Sequence, residues 1–332
     1  MYKFKTKPFE HQKDALKKCW NKKSFAVFAE MGTGKTKIAL DNACILYGKG
    51  SIDRLLVVAP KGTYMNWVDQ EIPVHVPDYI EKEVLAWKPS NSEKYKSQLR
   101  SIRSASDFRL KIFVMNVEAL STKKGVDAAR LFLIGKSMMI VDESTTIKNP
   151  QAKRTKNILT LGKDAKYRRI LTGSPVTQSP MDLWSQMDFL DPEILGQQSF
   201  YAFRTKYAVL ITASAAGGTH KFQKIVKFKN LKELGKLVSP HSYRILKKDC
   251  LDLPEKTFTK RTIELSEEQR KAYDEMKSSA ITILQGQSAT AVNVLTQLIK
   301  LHQITCGHMK TDSGEVINLK SSRLEELMQI LA

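Results

Sequence analysis

The chain has 332 residues, of which 42% are hydrophobic and 27% are charged, a composition typical of a globular protein with a sizeable core. Lysine and arginine outnumber aspartate and glutamate by 54 to 34, giving a formal charge of +20, which favours nucleic acid over an anionic membrane as a partner. We expect no membrane partner and no export, because no apolar run approaches the ~20 residues of a membrane-spanning helix and the amino terminus lacks an apolar signal core.

The first 195 residues alternate short apolar runs with helical patterns. Runs rich in Val, Ile, Leu and Phe predict buried strands at 24–30, 54–60, 110–116, 137–143 and 167–173. Helical spacing at 35–48 and at 149–162 ends at a glycine in both cases. This alternation predicts an α/β fold, a parallel sheet with helices on both faces.

The pattern changes after residue 195. Residues 207–229 predict a β-hairpin around Gly217 and Gly218. Ser266, three residues before Gln269, forms a capping-box pattern at the start of a long helix, and helical spacing continues to the end of the chain. The residues from 201 to 261 include 14 Lys or Arg and 4 Asp or Glu. We therefore expect a basic appendage that is mostly helical.

The segment AEMGTGKT, residues 29–36, lies between the first predicted strand and the helix that follows it. A glycine-containing loop in this position presents backbone N–H groups and a helix amino terminus to phosphate groups. Lys35 is placed to reach the β- and γ-phosphates, and the Thr36 hydroxyl to bind Mg²⁺. Ala29 stands where the common pattern has glycine. The residues of the segment predicted to bind nucleotide are Met31, Gly32, Thr33, Gly34, Lys35 and Thr36.

A phosphate-binding loop requires a carboxylate at the end of a neighbouring strand, and SMMIVDES supplies two. We expect Asp142 to hold Mg²⁺ through water and Glu143 to orient and deprotonate the attacking water. Lys35, Asp142 and Glu143 are thus the predicted catalytic residues, with Thr36 and Asp142 at the metal. Together the two segments predict a nucleoside triphosphatase that uses Mg²⁺.

Six blocks of the sequence resemble, in order and spacing, the amino-terminal half of the Swi/Snf-type ATPases, which are double-stranded DNA translocases of helicase superfamily 2. The blocks are AEMGTGKT, LLVVAPKGTYMNW, VDESTTIKN, RRILTGSPVTQSPMDLWSQMDFLDPEILG, YRILKKDCLDLPEK and ELSEEQRKAY. The resemblance covers most of residues 7–332 and implies a RecA-like lobe that binds ATP and Mg²⁺. It also implies double-stranded DNA as a partner.

The resemblance assigns further roles. KPFEHQ is similar to the family's nucleotide-edge motif, so Gln12 would hydrogen-bond the adenine, and LTGSP is similar to its coupling motif, which contains Thr172, Gly173 and Ser174. Backbone contacts to DNA are expected with little base specificity. The residues expected to make them are Lys61, Gly62, Thr63, Asn116, Lys148 and Asn149. Trp67 is interpreted as a packed core residue.

Two departures from the family pattern qualify the expected activity. Thr145 stands where the family commonly has histidine, which would alter the link between the acid pair and the coupling motif. The resemblance assigns 1–195 to the first lobe, 196–320 to a hairpin and helical insertion, and 321–332 to the start of the connection to a second RecA-like lobe. Arginines of that lobe would complete the site, in cis or in trans, so the chain alone is expected to hydrolyse ATP slowly.

Three functions are compatible with this sequence. The first is an ATP-driven translocase on double-stranded DNA, the second a strand-separating helicase of the same superfamily, and the third a DNA-binding module gated by nucleotide without turnover. The IKN tail after the acid pair and the LTGSP block favour the first over the second. The compact architecture suggests a microbial or phage protein of the cytoplasm, or a nuclear one if the source is eukaryotic.

Overall fold

The computed structural model describes residues 2–104, 108–214, 221–250, 252, 254, 257–285, 291–311 and 313–331. The chain forms two compact units, Met1–Leu253 and Pro254–Ala332. The finer boundaries expected after residues 195 and 320 stay predictions. Within the described residues, no helix combines the length and the apolarity needed to cross a membrane.

The strands are short, as the apolar runs indicate. Those of the first unit are β1 Ser24–Ala29, β2 Arg54–Ala59, β3 Lys82–Ala86, β4 Leu110–Asn116, β5 Ser137–Asp142, β6 Tyr167–Thr172, β7 Ala208–Ser214, β8 Lys221–Phe228 and β9 Ser242–Ile245. Those of the second unit are β10 His308–Lys310 and β11 Val316–Asn318.

Helices connect most of these strands. In the first unit they are α1 Glu10–Cys19, α2 Lys35–Gly48, α3 Tyr64–Asn66, α4 Ile72–His75, α5 Glu93–Arg103, α6 Lys123–Leu133, α7 Lys153–Asp164, α8 Leu183–Leu190, α9 Phe200–Tyr207, α10 Leu231–Val238 and α11 Lys247–Cys250. A π-helical turn, Trp67–Glu71, joins α3 to α4. The second unit contains α12 Glu267–Gln285, α13 Ala291–Thr305 and α14 Arg323–Leu331.

Seven strands form one sheet in the order β3-β4-β2-β5-β6-β1-β9, and every neighbouring pair is parallel. The five strands predicted from apolar runs are all present, each within a residue of its expected bounds. The two edge strands, β3 and β9, were not predicted. Both are short and only partly buried, so their sequences lack the continuous apolar run that identifies a strand covered on both faces.

The core consists of two clusters, one on each face of the sheet. Along β1, Ala26 and Phe28 belong to one cluster, and Phe25 and Val27 belong to the other. Because successive side chains of a strand point to opposite faces, a fully apolar strand needs a helical layer on both sides. Helices α1 and α2 cover one face, and α5 to α8 cover the other.

Helix α7 differs from its predicted span. The expected helix covered residues 149–162, whereas α7 begins at Lys153 and ends at Asp164. Gly162 therefore lies inside the last turn instead of ending the helix. Its role is close packing, since a Cβ atom at this position would lie 2.8 Å from the ring of Phe189.

The predicted hairpin is present as β7 and β8, which pair antiparallel with an irregularity between Val209 and Leu210. Its expected turn glycines lie outside the described residues. In the second unit the capping box forms at the start of α12, with Ser266 and Gln269 exchanging hydrogen bonds of 3.2 Å in each direction. The small β10-β11 hairpin was not predicted within this mostly helical unit.

Arg169 on β6 hydrogen-bonds to α1, to the segment before β1 and to α2. Its side chain is buried and donates to the carbonyl oxygens of Cys19 at 2.8 Å and Lys22 at 2.7 Å, and to Asn42 Oδ1 at 2.9 Å. Burial lowers the pKa of Arg169 to about 10, so it remains charged at neutral pH. Its hydrogen bonds link the end of α1, the approach to β1 and α2.

Replacing this arginine should destabilise the first unit strongly. We expect Arg169→Met to lower the free energy of unfolding by about 3 kcal/mol, because several buried carbonyl groups lose their donor. Urea denaturation followed by circular dichroism measures the change. Lys156→Met, at an exposed site on α7, is the matched control and should change stability by less than about 0.5 kcal/mol. Equal stability of Arg169→Met and the parent protein would contradict the prediction.

Candidate functional site

The segment predicted to bind phosphate forms a loop between β1 and α2. Gly32 and Gly34 have φ angles of 83° and 81°, in the left-handed region that only glycine adopts without strain. Gly34 directly precedes α2, whose first residues are Lys35 and Thr36. Thr33 is buried, and its hydroxyl donates to the Glu30 carbonyl at 2.7 Å. The loop is therefore shaped by the chain itself around the amino terminus of a 14-residue helix.

Gln12 lies against this loop. Its Nε2 donates to the Thr33 carbonyl at 3.2 Å, and its Oε1 accepts from the Phe9 N–H at 3.0 Å. A Cβ atom at Gly34 would lie only 2.2 Å from Gln12 Nε2, so a larger residue there would displace the Gln12 amide from the loop, in addition to straining the φ angle. Gln12 thus holds the loop and the start of α1 together. Its expected contact with adenine stays a prediction.

Lys35 and Glu143 meet at the carboxyl edge of the sheet. Lys35 Nζ lies 2.9 Å from Glu143 Oε1, and both side chains are partly exposed. Glu143 has a φ of 45°, a conformation that costs a non-glycine residue roughly 1 kcal/mol or more. Two segments more than a hundred residues apart in sequence therefore converge in one site, as predicted for a phosphate loop and its acid pair.

Asp142 is buried beside this ion pair. Its Oδ2 accepts from Trp67 Nε1 at 3.0 Å, and its Oδ1 accepts from the Glu143 N–H at 3.0 Å. Burial raises the pKa of the Asp142 carboxyl, although the Trp67 hydrogen bond and the positive charge of Lys35 oppose the shift. Trp67 is a core residue, as expected, but its bond to Asp142 was not foreseen. A tryptophan has one donor, and the sequence does not show where that donor points.

The donors present fit a magnesium ion. Mg²⁺ prefers oxygen ligands and retains several waters. Thr36 offers a half-buried hydroxyl that bonds no other described residue, and Asp142 offers a buried carboxylate. A divalent cation would offset the electrostatic cost of burying that carboxylate. Thr36 and Asp142 are therefore the residues that would hold the metal.

Residues 172–174, which are similar to the family's coupling motif and are called the coupling segment below, contact both the acid pair and the phosphate loop. The Thr172 hydroxyl lies 3.5 Å from Glu143 Oε2, and the Ser174 N–H donates to the Thr172 hydroxyl at 3.2 Å. At Gly173 an added Cβ would come within 3.4 Å of both the Ala29 carbonyl oxygen and the Glu30 Cα. The segment that follows β6 therefore touches the acid pair through a side chain and the phosphate loop through its backbone.

A second connection joins Ser144, the residue after the acid pair, to Pro175, the residue after the coupling segment. The buried Ser144 hydroxyl donates to Gln186 Oε1 at 2.6 Å, and Gln186 Nε2 donates to the carbonyls of Pro175 and Asp182, both at 2.7 Å. The expected effect of Thr145 on the link between the acid pair and the coupling motif stays a prediction, while Ser144 and Gln186 form this additional connection. Gln186 was not identified from the sequence, because a glutamine within a helix gives no sign of its tertiary partners.

The residues expected to contact DNA follow the ends of neighbouring parallel strands. Lys61, Gly62 and Thr63 are exposed after β2, and the Thr63 N–H already donates to the Pro60 carbonyl at 2.9 Å. The remaining three residues have protein partners: Asn116 donates to Glu118 at 3.1 Å, Lys148 to Thr177 at 2.7 Å, and Asn149 accepts from the Gln151 N–H at 2.9 Å. Their role toward DNA stays a prediction.

Comparison with known proteins identifies relatives of this chain. It is 28% identical over 288 residues to the helicase-like transcription factor of Mus musculus, covering 83% of this chain and 26% of that protein. Over 314 residues it is 25% identical to the protein CHROMATIN REMODELING 4 of Arabidopsis thaliana, covering 90% of this chain and 13% of the relative. The chain thus spans about a quarter or less of the length of these relatives.

A solved structure shares the fold. The Sulfolobus solfataricus SWI2/SNF2 ATPase core, determined in complex with double-stranded DNA, superposes with a TM-score of 0.57 at 24% identity, covering 99% of this chain and 65% of that one. The family model of the SNF2-related domain matches residues 11–310. That match includes the phosphate loop, the acid pair and the coupling segment. This chain therefore belongs to the SNF2-related domain family.

Proposed function

We propose that this chain is the ATP-binding half of an ATP-driven motor that translocates on double-stranded DNA. The observation that carries the proposal is the 2.9 Å contact between Lys35 and Glu143 beside the buried Asp142. This contact supports the proposal because it brings together a cation suited to phosphate, a carboxylate suited to a metal ion and a carboxylate suited to orienting water. The motor would include a second RecA-like lobe, supplied by the same chain or by another, whose arginines complete the phosphate site.

The residues of the site divide the chemistry. The N–H groups at the start of α2 bind the phosphate chain, and Lys35 leaves Glu143 to bind the β- and γ-phosphates. Glu143, released from its ion pair, orients a water for attack on the γ-phosphorus and accepts its proton. Thr36 and Asp142 would hold Mg²⁺, which would supply positive charge to neutralise the phosphate oxygens. Trp67 holds the Asp142 carboxylate in position for this task.

Coupling to movement would begin at Thr172 and Gly173. Thr172 contacts the Glu143 carboxylate, which would change partner when ATP binds. Gly173 packs on the backbone of Ala29 and Glu30, at the start of the loop that would surround the phosphates. A change in either half of the site therefore reaches the coupling segment directly. Such a segment would transmit the state of the nucleotide to the second lobe.

Double-stranded DNA is the proposed track. The formal charge of +20 and the exposed strand-end loop at Lys61 to Thr63 are suited to a phosphate backbone, which is recognised without regard to sequence. The complex of the archaeal relative with double-stranded DNA supports the duplex over single strands. ATP, Mg²⁺ and duplex DNA are thus the proposed ligands.

Substitutions at Lys35 and Glu143 should separate binding from turnover. Lys35→Ala should abolish binding of a fluorescent ATP analogue, because the phosphates lose their main cation. Glu143→Gln should bind the analogue at least as tightly as the parent, because Lys35 no longer has a competing carboxylate, while phosphate release falls by about 10² to 10⁴-fold. Lys49→Ala, at the far end of α2, is the control. Equal loss of binding in both variants would refute the assigned roles.

Removing the donor of Trp67 should reduce turnover without abolishing nucleotide binding. Trp67→Phe keeps an aromatic ring in the core but leaves Asp142 Oδ2 without its partner. A hydrogen bond to a charged group is worth about 1.5–3 kcal/mol, so we expect ATP turnover to fall about tenfold or more. Radiolabelled phosphate release measures the effect. Trp20→Phe, at the end of α1, should leave turnover unchanged; if it causes the same loss, the effect is not specific to the acid.

The nucleic acid that stimulates ATP hydrolysis distinguishes the three candidate functions. We expect double-stranded DNA to stimulate turnover more than single-stranded DNA or RNA, at matched nucleotide concentration and in low salt. Stimulation by RNA alone would defeat the translocase proposal, and stimulation by single strands alone would favour a strand-separating helicase. DNA affinity that depends on ATP, without any hydrolysis, would favour a nucleotide-gated binding module. The assay requires the protein together with its second lobe.

A further inference from the structure

Lys247, the first residue of α11, lies beside the phosphate loop. It follows the edge strand β9, which was not predicted from the sequence. Strand β9 runs parallel to β1, with Ile245 opposite Ala29. Because both strands end at the same edge of the sheet, the residues after Ile245 lie beside the residues after Ala29. Lys247 thus lies next to a loop that precedes it by more than two hundred residues in the sequence.

Two hydrogen bonds fix the backbone of Lys247 on the loop. The Glu30 N–H donates to the Ile245 carbonyl at 3.1 Å, and the Lys247 N–H donates to Glu30 Oε2 at 2.7 Å. Neither bond uses the Lys247 side chain. The position of this residue is therefore set by its main chain, and its ammonium group is available for another role.

The side chain of Lys247 extends over Gly32. A Cβ atom placed on Gly32 would lie 3.6 Å from Lys247 Cε and 3.7 Å from Nζ. Glu30 binds the Lys247 backbone, yet no carboxylate of the described residues lies within 4.0 Å of the Lys247 ammonium. Lys35, by contrast, is paired with Glu143. Among the described residues the Lys247 ammonium therefore forms no ion pair, and its positive charge lies at the loop expected to receive the most negative part of the nucleotide.

We propose that the Lys247 ammonium binds the phosphate chain of the nucleotide, as a second protein cation beside Lys35. The inference rests on the proposed function of the phosphate loop. A nucleoside triphosphate carries several negative charges, and one lysine and one magnesium ion leave part of that charge unmatched. A flexible ammonium on a rigid backbone can follow the phosphates as their number changes. The alternative is a solvated lysine whose only contribution is its backbone hydrogen bond.

Side-chain removal at Lys247 distinguishes these possibilities, because alanine keeps the N–H that bonds Glu30. We expect Lys247→Ala to weaken binding of mant-ATP about tenfold, equivalent to about 1.4 kcal/mol, and to weaken mant-ADP binding less. Lys247→Arg should restore most of the affinity, because the charge is kept. Lys248→Ala removes an equal charge from the next, exposed residue and is the matched control, with the affinity of the parent protein.

Thermal unfolding completes the test. Without nucleotide, Lys247→Ala should melt as the parent does, and its melting temperature should rise less when ATP and Mg²⁺ are added. If Lys247→Ala is unstable, Lys247→Gln provides the same comparison. Unchanged mant-ATP affinity in the folded variant overturns the inference, and so does an equal loss in Lys248→Ala, which would indicate a general effect of charge. A parent protein that fails to bind mant-ATP overturns the proposed function itself.

Discussion

The parallel direction of the central strands is the constraint on which the site depends. Because β1, β5, β6 and β9 run the same way, all their carboxyl ends meet at one edge of the sheet. Segments that are distant in sequence are thereby placed within hydrogen-bonding distance, as Lys35 and Glu143 are. The largely buried residues of β1, β5 and β6 and the helical layers on both faces stabilise this arrangement. The polar residues of the site need only follow a strand to be correctly positioned.

Within this frame, the Lys35–Glu143 ion pair is a contact that a triphosphate would replace. In the proposed mechanism the phosphates would compete with Glu143 for the ammonium group, and the displaced carboxylate would become available to orient water. Glu143 is held in a left-handed conformation, and Thr172 lies against its second oxygen. A strained residue whose partner changes with nucleotide occupancy is suited to a switch. In the proposed motor, nucleotide binding and coupling would therefore both act on the Glu143 side chain, which contacts Lys35 and Thr172.

The sequence predicts those parts of the molecule whose physical signal is local. Continuous apolar runs identified the five inner strands, and the glycines of the AEMGTGKT segment identified a loop between β1 and α2. The edge strand β9 has four residues and a polar face, so it lacks such a run. Because β9 was not predicted, the position of Lys247 beside the phosphate loop was not predicted either. The partners of Trp67 and Gln186 also escaped prediction. Each depends on tertiary contacts that bring a single donor or acceptor to another segment.

The chain leaves the sheet after β6 and returns to it as the edge strand β9, so the ends of the intervening segment lie near each other. From Thr172 the chain passes through α8, α9, the β7-β8 hairpin and α10 before it returns as β9 beside β1. Both ends of this segment contact the phosphate loop. Gly173 packs on Ala29 and Glu30 at one end, and the Lys247 N–H donates to the Glu30 carboxylate at the other. A movement of Glu30 when nucleotide binds would act on both ends together. The β7-β8 hairpin, with Lys224 and Lys227 exposed, lies in the chain between these two contacts.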